Sequence, residues 1–403
     1  MQEGRRLLIY SHDSFGLGHL RRCRAIAHDL VNKFRGLSVL ILSGSPIIGS
    51  FDFRARVDFI RVPGVIKLRN GEYTSLKLHI DTERTLAMRA SIIHHTAEIF
   101  EPHMFLVDKE PLGLQGEVEE TLRMLRSRGT RCVLGLRDVM DEPRSLLAEW
   151  ERKDVFPALE NLYDDIWVYG LPEIFDPIRE IPGMTHLSPK LSFTGYIRRS
   201  VSDHAHLSAD YSLPQEPFIL VTAGGGGDGE VLIDWVLRAY ESGHPPPYPA
   251  LMLFGPFMQL DDRLAFQERV NRLRNVHSTT FESQVEELYE RALGVVSMGG
   301  YNTFCEILSF GKPSLIVPRT VPRQEQLLRA RRASMLGLVT CLEDDGIRDA
   351  AMMAEAIRGL GRQRPLNPQR LDTMLSGLDT ISHLSARWLD ESFTEPRRAR
   401  AGA

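Results

Sequence analysis

The sequence predicts an α/β protein made of two successive halves, each a parallel sheet covered by helices on both faces. Three observations carry this. Short apolar runs without polar alternation are separated by helical patterns, which is how strands buried on both faces read. The pattern restarts near residue 217, after a polar stretch. The chain has 403 residues, of which 43% are hydrophobic, enough apolar side chains for two or three domain-sized cores.

In order along the chain, RLLIYS (6–11) is a buried strand, followed by a glycine turn and a helical pattern from about His19 to Phe34. LSVLILSG (37–44), MFLVD (104–108) and RCVLGLRD (131–138) read as further strands, with a helix over about 116–128, and DIWVYG (165–170) and LSFTGY (191–196) as weaker ones. SVSDHAHLSADYSLPQEP (199–216) is polar and reads as a linker. Then PFILVTAGGGG (217–227) repeats the strand–glycine–helix theme, its helix running to about Ser242, and PALMLFG (249–255), NVHSTTF (275–281), LGVVSMGG (293–300) and PSLIVPR (313–319) follow as strands. A helix reaches about Leu389 after the prolines of 364–372. The expected units are 1–198, 199–375, a terminal helix over 376–392 that can cross back to the first domain, and a flexible tail over 393–403.

Composition narrows the function classes. Lys+Arg is 49 and Asp+Glu is 53, a net charge of −4, which disfavours a general nucleic-acid binder. Cys23, Cys132, Cys305 and Cys341 form no close pair, which disfavours a disulfide framework or zinc site. No apolar run reaches membrane-span length, and the N-terminus lacks a signal-peptide pattern, so a cytoplasmic location is expected. Seven of the 49 basic residues are Lys. The Arg surplus fits genome composition, and it also fits oxyanion recognition.

Three segments can carry chemistry. In SHDSFGLGHLRRC (11–23) a strand ends, glycines turn, and a helix starts, which places N–H groups and a positive helix end at a sheet edge. Arg21 stands where a dinucleotide fingerprint needs its third glycine, so NAD or FAD is not supported. His19 is a candidate general base or a plain packing residue; His12 and Asp13 are nearby alternatives, and Arg21 and Arg22 are candidate partners for negative charge. VTAGGGGDG (221–229) allows close backbone approach to a ligand; no Lys follows, so it is not an NTPase P-loop. In SMGGYNTFCEILSFGKPSLIVPRTVPRQEQ (297–326) a helix starts near Tyr301–Thr303, and its N-terminus suits a diphosphate. Glu306 can accept ribose hydroxyls or complete a capping box. Arg323, Gln324, Glu325 and Gln326 sit at a second strand end, where polar groups read sugar hydroxyls or simply open a helix.

Together GLGHLRR, the GGGG loop and SMGGYNTFCE…GKPSLIVP…RQEQ resemble glycosyltransferases of the GT-B fold. The resemblance is nearest to the MurG-like family 28 type and its bacterial branch of predicted glycosyltransferases. It implies two Rossmann-like domains facing across a cleft, with an acceptor in the first and a nucleotide-sugar donor, commonly a UDP-sugar, in the second. It implies donor contacts at Gly224, Gly225, Gly226, Gly227, Ser297, Gly299, Gly300, Tyr301, Asn302, Thr303, Glu306, Arg319, Arg323, Gln324 and Gln326. Acceptor contacts fall at Gly16, Gly18, Arg21 and Lys109. His19 would be catalytic, with Asp108 orienting it or serving as base.

The expected reaction is inverting transfer to a hydroxyl, without cofactor or metal, since Asp261–Asp262 and Asp344–Asp345 read as surface helix starts or turns. Expected partners are the donor and a sugar, lipid-linked or small-molecule acceptor, with no nucleic acid. The pathway suggested by the resemblance is cell-envelope or exopolysaccharide synthesis. The loop 63–80 differs in character from the family's and carries Lys67, Arg69 and Lys77 beside Val65, Leu68 and Leu76. That leaves peripheral membrane contact, an anionic acceptor or a plain surface loop open. Two other readings compete. GLGHLRRC also resembles the UDP-sugar hydrolase of pseudaminic acid synthesis, in which water replaces the acceptor. A non-catalytic nucleotide-sugar-binding protein is the third.

Overall fold

The structure, a computed structural model, describes residues 4–12, 18–67, 73–76, 78–201, 214, 216–225 and 227–389. Gly16 and Gly226 fall outside these residues, as do Asp13, Arg69, Lys77, most of the polar linker and the tail beyond 389.

The first unit contains β1 (Arg6–Ser11), α1 (Gly18–Lys33), β2 (Ser38–Ser43), β3 (Val57–Arg61), β4 (Val65–Lys67), β5 (Tyr73–Ser75), α2 (Thr82–Phe100), β6 (Met104–Asp108), α3 (Glu119–Ser127), β7 (Arg131–Arg137), α4 (Pro143–Arg152), α5 (Val155–Asn161), β8 (Asp165–Tyr169), α6 (Pro177–Glu180) and β9 (Leu191–Phe193). The second contains β10 (Ile219–Thr222), α7 (Glu230–Glu241), β11 (Ala250–Leu253), α8 (Leu260–Asn271), β12 (Val276–Thr279), α9 (Val285–Arg291), β13 (Gly294–Ser297), α10 (Tyr301–Ser309), β14 (Ser314–Ile316), α11 (Glu325–Met335), β15 (Thr340–Cys341) and α12 (Ala350–Leu360). α13 (Pro368–Met374) and α14 (Gly377–Leu389) end the described chain.

The two sheets are ordered β3-β2-β1-β6-β7-β8-β9 and β12-β11-β10-β13-β14-β15, and every pairing within them is parallel. β4 and β5 form a separate antiparallel hairpin. The central strands are apolar on both faces because helices cover both: Leu7, Leu8, Ile9, Phe105, Leu106 and Val107 are fully buried, as are Leu220, Val221, Val295 and Val296. Each such side chain stabilises the fold by about 1.5–3 kcal/mol relative to exposure.

The strand order reverses direction between β1 and β6 in the first sheet, and between β10 and β13 in the second. In open parallel sheets such switch points leave a crevice at the strands' carboxyl ends, where ligands bind. The first turn of α1 and the end of β6 flank the first crevice. The GGGG loop and the Ser297–Gly300 turn flank the second.

Three elements differ from the sequence expectation. β3 extends the first sheet at its edge, where partial exposure mixes polar residues into the strand. The hairpin β4–β5 occupies part of the loop 63–80. An additional helix, α13, forms in the proline-containing stretch, and α14 follows where the terminal helix was expected, the two broken at Leu375–Ser376.

That break serves the connection between the sheets. Tyr196 N–H donates to Met374 O at 2.7 Å and Gly377 N–H to Tyr196 O at 3.0 Å, so the outgoing and returning chains pair as neighbours, with Ile197 opposite Ser376. A Cβ at Gly377 would lie 2.6 Å from Tyr196 O, so no larger residue fits there. α14 then lies on α1 of the first unit: Ser382 Oγ donates to Asp29 Oδ2 at 2.9 Å, and Lys33 Nζ pairs with Asp379 at 2.7 Å. At its far end the Trp388 ring lies beneath the guanidinium of Arg131, 4.9 Å from the ring centre.

Candidate active site

The His19 ring stands in the first turn of α1 and Asp108 ends β6, so the two meet across the switch point. His19 Nδ1 lies 2.5 Å from Asp108 Oδ2. Asp108 is fully buried, and the His19 side chain retains 16% exposure. A carboxylate on Nδ1 fixes the tautomer with the proton there, leaving Nε2 as the proton acceptor. Burial, opposed by Asp108, lowers the His19 pKa to about 4, so the ring is a neutral base at physiological pH. Arg22, one turn on, grips the same carboxylate with Nε on Oδ1 at 2.8 Å and Nη2 on Oδ2 at 2.6 Å. Burial opposes ionisation of Asp108, but Arg22 and His19 outweigh it and hold its pKa below the ordinary range.

The His12 ring sits edge-on to His19, with centroids 5.7 Å apart. Its Nδ1 is 3.3 Å from the Tyr10 hydroxyl, which donates to Glu117 at 2.6 Å. Arg89 in turn grips Glu117 with two 2.6 Å bonds. Among the described residues the hydrogen-bonded route from His12 to a carboxylate runs through Tyr10, whereas His19 touches one directly. Lys109 follows Asp108 with φ 72, a left-handed conformation uncommon outside glycine. It turns the chain back at the strand end and pairs with Glu110 at 3.1 Å.

The second crevice faces the first. Asn302 Nδ2 donates to Gly18 O at 2.9 Å, so the N-terminal ends of α1 and α10 meet. Gly229, Gly300 and Gln324 precede α7, α10 and α11 without any side-chain cap bond, in contrast to α12, where Asp349 accepts from Met352 N–H. The N–H groups of the first turn of α10, including Tyr301, Asn302 and Thr303, have no intrahelical partner. Gly299 has φ 72, and a Cβ there would meet Ile316 Cγ2 at 2.6 Å, so glycine is required for the turn that aims α10. In the GGGG loop, Gly224 and Gly227 are exposed and Gly225 partly so.

The polar residues expected on the donor divide into open and engaged groups. Ser297 is fully buried and its hydroxyl accepts from Gly299 N–H at 3.3 Å, so it shapes the turn rather than facing the crevice. Glu306 is 2% exposed and takes Arg21 Nη1 at 2.7 Å, while Arg21 Nη2 takes Glu286 at 2.7 Å. Arg21, expected at the acceptor, thus points into the second domain. Glu306, expected on a ribose, is held by an arginine of the first domain, and neither forms the capping box. The Tyr289 hydroxyl lies beside Glu306, and burial together with that charge raises its pKa. Arg319 pairs with Asp228 at 2.6 Å and Glu325 at 2.8 Å, tying the GGGG loop to the start of α11. Its N–H donates to Gln326 Oε1 at 3.2 Å. Arg323 reaches Glu149 of the first domain at 2.8 Å, and Gln324 N–H reaches Asp141 at 2.9 Å.

Sequence reasoning missed the groups that lock the two crevices together. Arg329 of α11, fully buried, makes a fork on Asp138 at 2.7 and 2.6 Å and donates to Gly299 O at 3.0 Å. The Tyr196 hydroxyl takes Asp138 as well, at 2.8 Å. The Tyr301 ring lies between Arg22, 5.1 Å from its centre, and Arg329, 5.9 Å away. Arg199 donates to Asn302 Oδ1 at 2.9 Å and to Arg21 O at 3.2 Å. Of the acidic pairs, Asp261–Asp262 lie in the first turn of α8, and Asp344 pairs with Arg348 at 2.8 Å within a turn. Among the described residues no helix is long and apolar enough to cross a membrane. Cys23, Cys132 and Cys305 are buried and Cys341 is partly so, all as free thiols.

Comparison with known proteins bears on the fold. Residues 248–365 match the glycosyltransferase family 28 C-terminal domain. No curated protein sequence matches the chain. Among solved structures, a UDP-glucosyltransferase from Polygonum tinctorium superposes with a TM-score of 0.63 at 14% identity, covering 96% of this chain and 99% of its own. The glycotransferase of kitacinnamycin superposes with a TM-score of 0.61 at 16% identity, covering 96% of this chain and 100% of its own. MurG of Acinetobacter baumannii gives 0.57 at 11% identity, covering 96% and 99%. The chain therefore has the GT-B fold of these glycosyltransferases, with two Rossmann-like domains, and its second domain carries the family 28 match.

Proposed function

We propose that the protein is an inverting glycosyltransferase that moves a sugar from a nucleotide-sugar, read as a UDP-sugar, to a hydroxyl acceptor. The observation that carries this reading is the 2.5 Å His19–Asp108 contact, set where the first turn of α1 meets the uncapped start of α10.

In the proposed step, the acceptor hydroxyl gives its proton to His19 Nε2 as its oxygen bonds to the anomeric carbon. The bond from that carbon to the diphosphate oxygen breaks on the opposite side. Asp108 stabilises the imidazolium that forms. The departing diphosphate gathers negative charge, which the N–H groups of Tyr301, Asn302 and Thr303 stabilise together with the helix dipole. The exposed Gly224 and Gly227 leave backbone open to the donor. Glu306 serves the ribose after exchanging Arg21 for the hydroxyls, and Gln324 and Gln326 border the sugar. No metal is assigned a role, because the uncapped helix ends supply positive charge at this edge.

The acceptor enters on the first domain, beside Gly18 and Lys109. Leu78, Ile80 and Met88 are exposed just before and within the first half of α2. They support an apolar or lipid-linked acceptor, with peripheral contact at the inner membrane face and a role in envelope or exopolysaccharide synthesis.

The test is a thermal-shift screen of UDP-, GDP-, ADP- and dTDP-sugars, followed by product stereochemistry with and without acceptor. A donor stabilises by RT ln(1+[L]/Kd). No shift with any nucleotide-sugar defeats the donor assignment. Free sugar released at the full rate without acceptor replaces transfer by hydrolysis.

A further inference from the structure

Arg137 stands out by what surrounds it. It ends β7 opposite Tyr169 of β8; its Nε is buried without a hydrogen-bond acceptor, and among the described residues no carboxylate lies within ion-pair distance of it. Five other arginines of the interdomain crevice are neutralised by carboxylates, and Arg199, whose Nε also lacks an acceptor, spends its terminal nitrogens on Asn302 Oδ1 and Arg21 O. Arg21 has Glu286 and Glu306, Arg22 has Asp108, Arg319 has Asp228 and Glu325, Arg323 has Glu149, and Arg329 has Asp138. The charge expected to meet an oxyanion at Arg21, Arg319 or Arg323 is therefore already spent inside the protein.

The position of Arg137 follows from the sheet register. Asp108 lies opposite Gly135 in the parallel β6–β7 pair, and opposite residues share a face. Arg137 lies two residues further along the strand, so it projects from the Asp108 face, roughly 7 Å nearer the carboxyl edge. That edge is the one turned toward α10 and α11. The nearest charges seen by Arg137 include Glu325, Arg22 and Arg329. Glu325 is already bonded to Arg319 through Oε1, and its Oε2 is buried without a hydrogen-bond donor. Burial depresses the Arg137 pKa to about 10, the mark of a cation short of counter-charge. Arg137 is half-buried, and its buried Nε without an acceptor costs free energy that a bound anion would recover.

We infer that Arg137 is a substrate-binding residue that takes a phosphate-class oxyanion in the crevice, completing from the first domain the positive site begun by the start of α10. This rests on the proposed donor reading for one of its two sources, the donor's diphosphate; the other is a phosphate on the acceptor.

The experiment uses the full chain and two variants, Arg137→Met and Arg137→Lys. Unliganded melting temperatures are measured first. Removal of an unpaired buried charge leaves the Arg137→Met melting temperature equal or higher, while a structural arginine would lower it. UDP, GDP, ADP and dTDP are then titrated by calorimetry. A 10- to 100-fold weaker Kd in Arg137→Met, partly restored in Arg137→Lys, places the donor diphosphate on Arg137. If nucleotide affinity is unchanged, inorganic phosphate is titrated with the nucleotide saturating. Phosphate binding in the native chain that is lost in Arg137→Met places the acceptor's phosphate there. Equal binding of both probes by native chain and variant overturns the inference. A native chain that binds no nucleotide at all defeats the donor reading, and the phosphate titration still decides Arg137.

Discussion

Arg22 and His19 share one carboxylate: the guanidinium and the imidazole both rest on Asp108 Oδ2, at 2.6 and 2.5 Å. The fork of Arg22 keeps Asp108 ionised and also lowers the basicity of His19. Arg22→Met should therefore raise the pKa of His19. Without its counter-charge, Asp108 is left buried, and breaking such a pair costs about 3–5 kcal/mol. The checks are a chemical denaturation curve and the acidic limb of the kcat/KM–pH profile, which should move to higher pH.

Replacing His19 by Ala should lower kcat by about 10²–10⁴-fold, the usual contribution of a positioned base. Nucleotide affinity should hold within a few-fold, because the ring does not touch the second domain's helix ends. Asp108→Asn should lower kcat and stability together, since it unpairs Arg22 as well. Unchanged turnover in His19→Ala would remove the base from His19.

The native pH profile should be flat through neutrality and fall only as pH approaches about 4, where the His19 ring gains its proton. Stability should follow a related course. A histidine whose folded pKa lies below its unfolded value near 6.5 binds protons more readily when unfolded. Acidification from about 6.5 to about 4 should thus lower the unfolding free energy. His28, lowered to about 4 by burial, adds to the same window. Denaturation at a series of pH values in native chain and His19→Ala separates the two.

Arg329→Met should destabilise more than any surface arginine change, by about 3–5 kcal/mol, because Asp138 would remain buried and uncompensated. A paired change, Arg329→Met with Asp138→Leu, should recover much of the loss. Recovery by the second change in thermal melting distinguishes an unpaired charge from a simple cavity.

Much of the architecture was legible in the sequence, and the reasons are local. RLLIYS and MFLVD match β1 and β6 residue for residue, since strands buried on both faces announce themselves by unbroken apolar runs. The polar β3 at the sheet edge gives no such signal. His19 and Asp108 were legible because glycines and a strand end mark functional turns. Arg137 ends β7 as Asp108 ends β6, but in RCVLGLRD it is followed by a second charge, Asp138, and nothing local separates it from that residue. The pairing of Arg21 with Glu286, 265 residues away in the chain, has no local signature at all. Nor does the fork of Arg329 on Asp138. Such contacts depend on how the two sheets face one another, which periodicity within either half does not encode.

The side-by-side strands at Tyr196–Ile197 and Ser376–Gly377 have a kinematic consequence. Two covalent crossings at one place make a single pivot, not two independent tethers. Any opening of the crevice is a rotation about that point, with the displacement of each group growing with its distance from it. Asp138 stands at the pivot through the Tyr196 hydroxyl, so its fork with Arg329 acts as a short-armed brake. The bond of Arg323 to Glu149 is a further tie between the two domains that such a rotation would have to part.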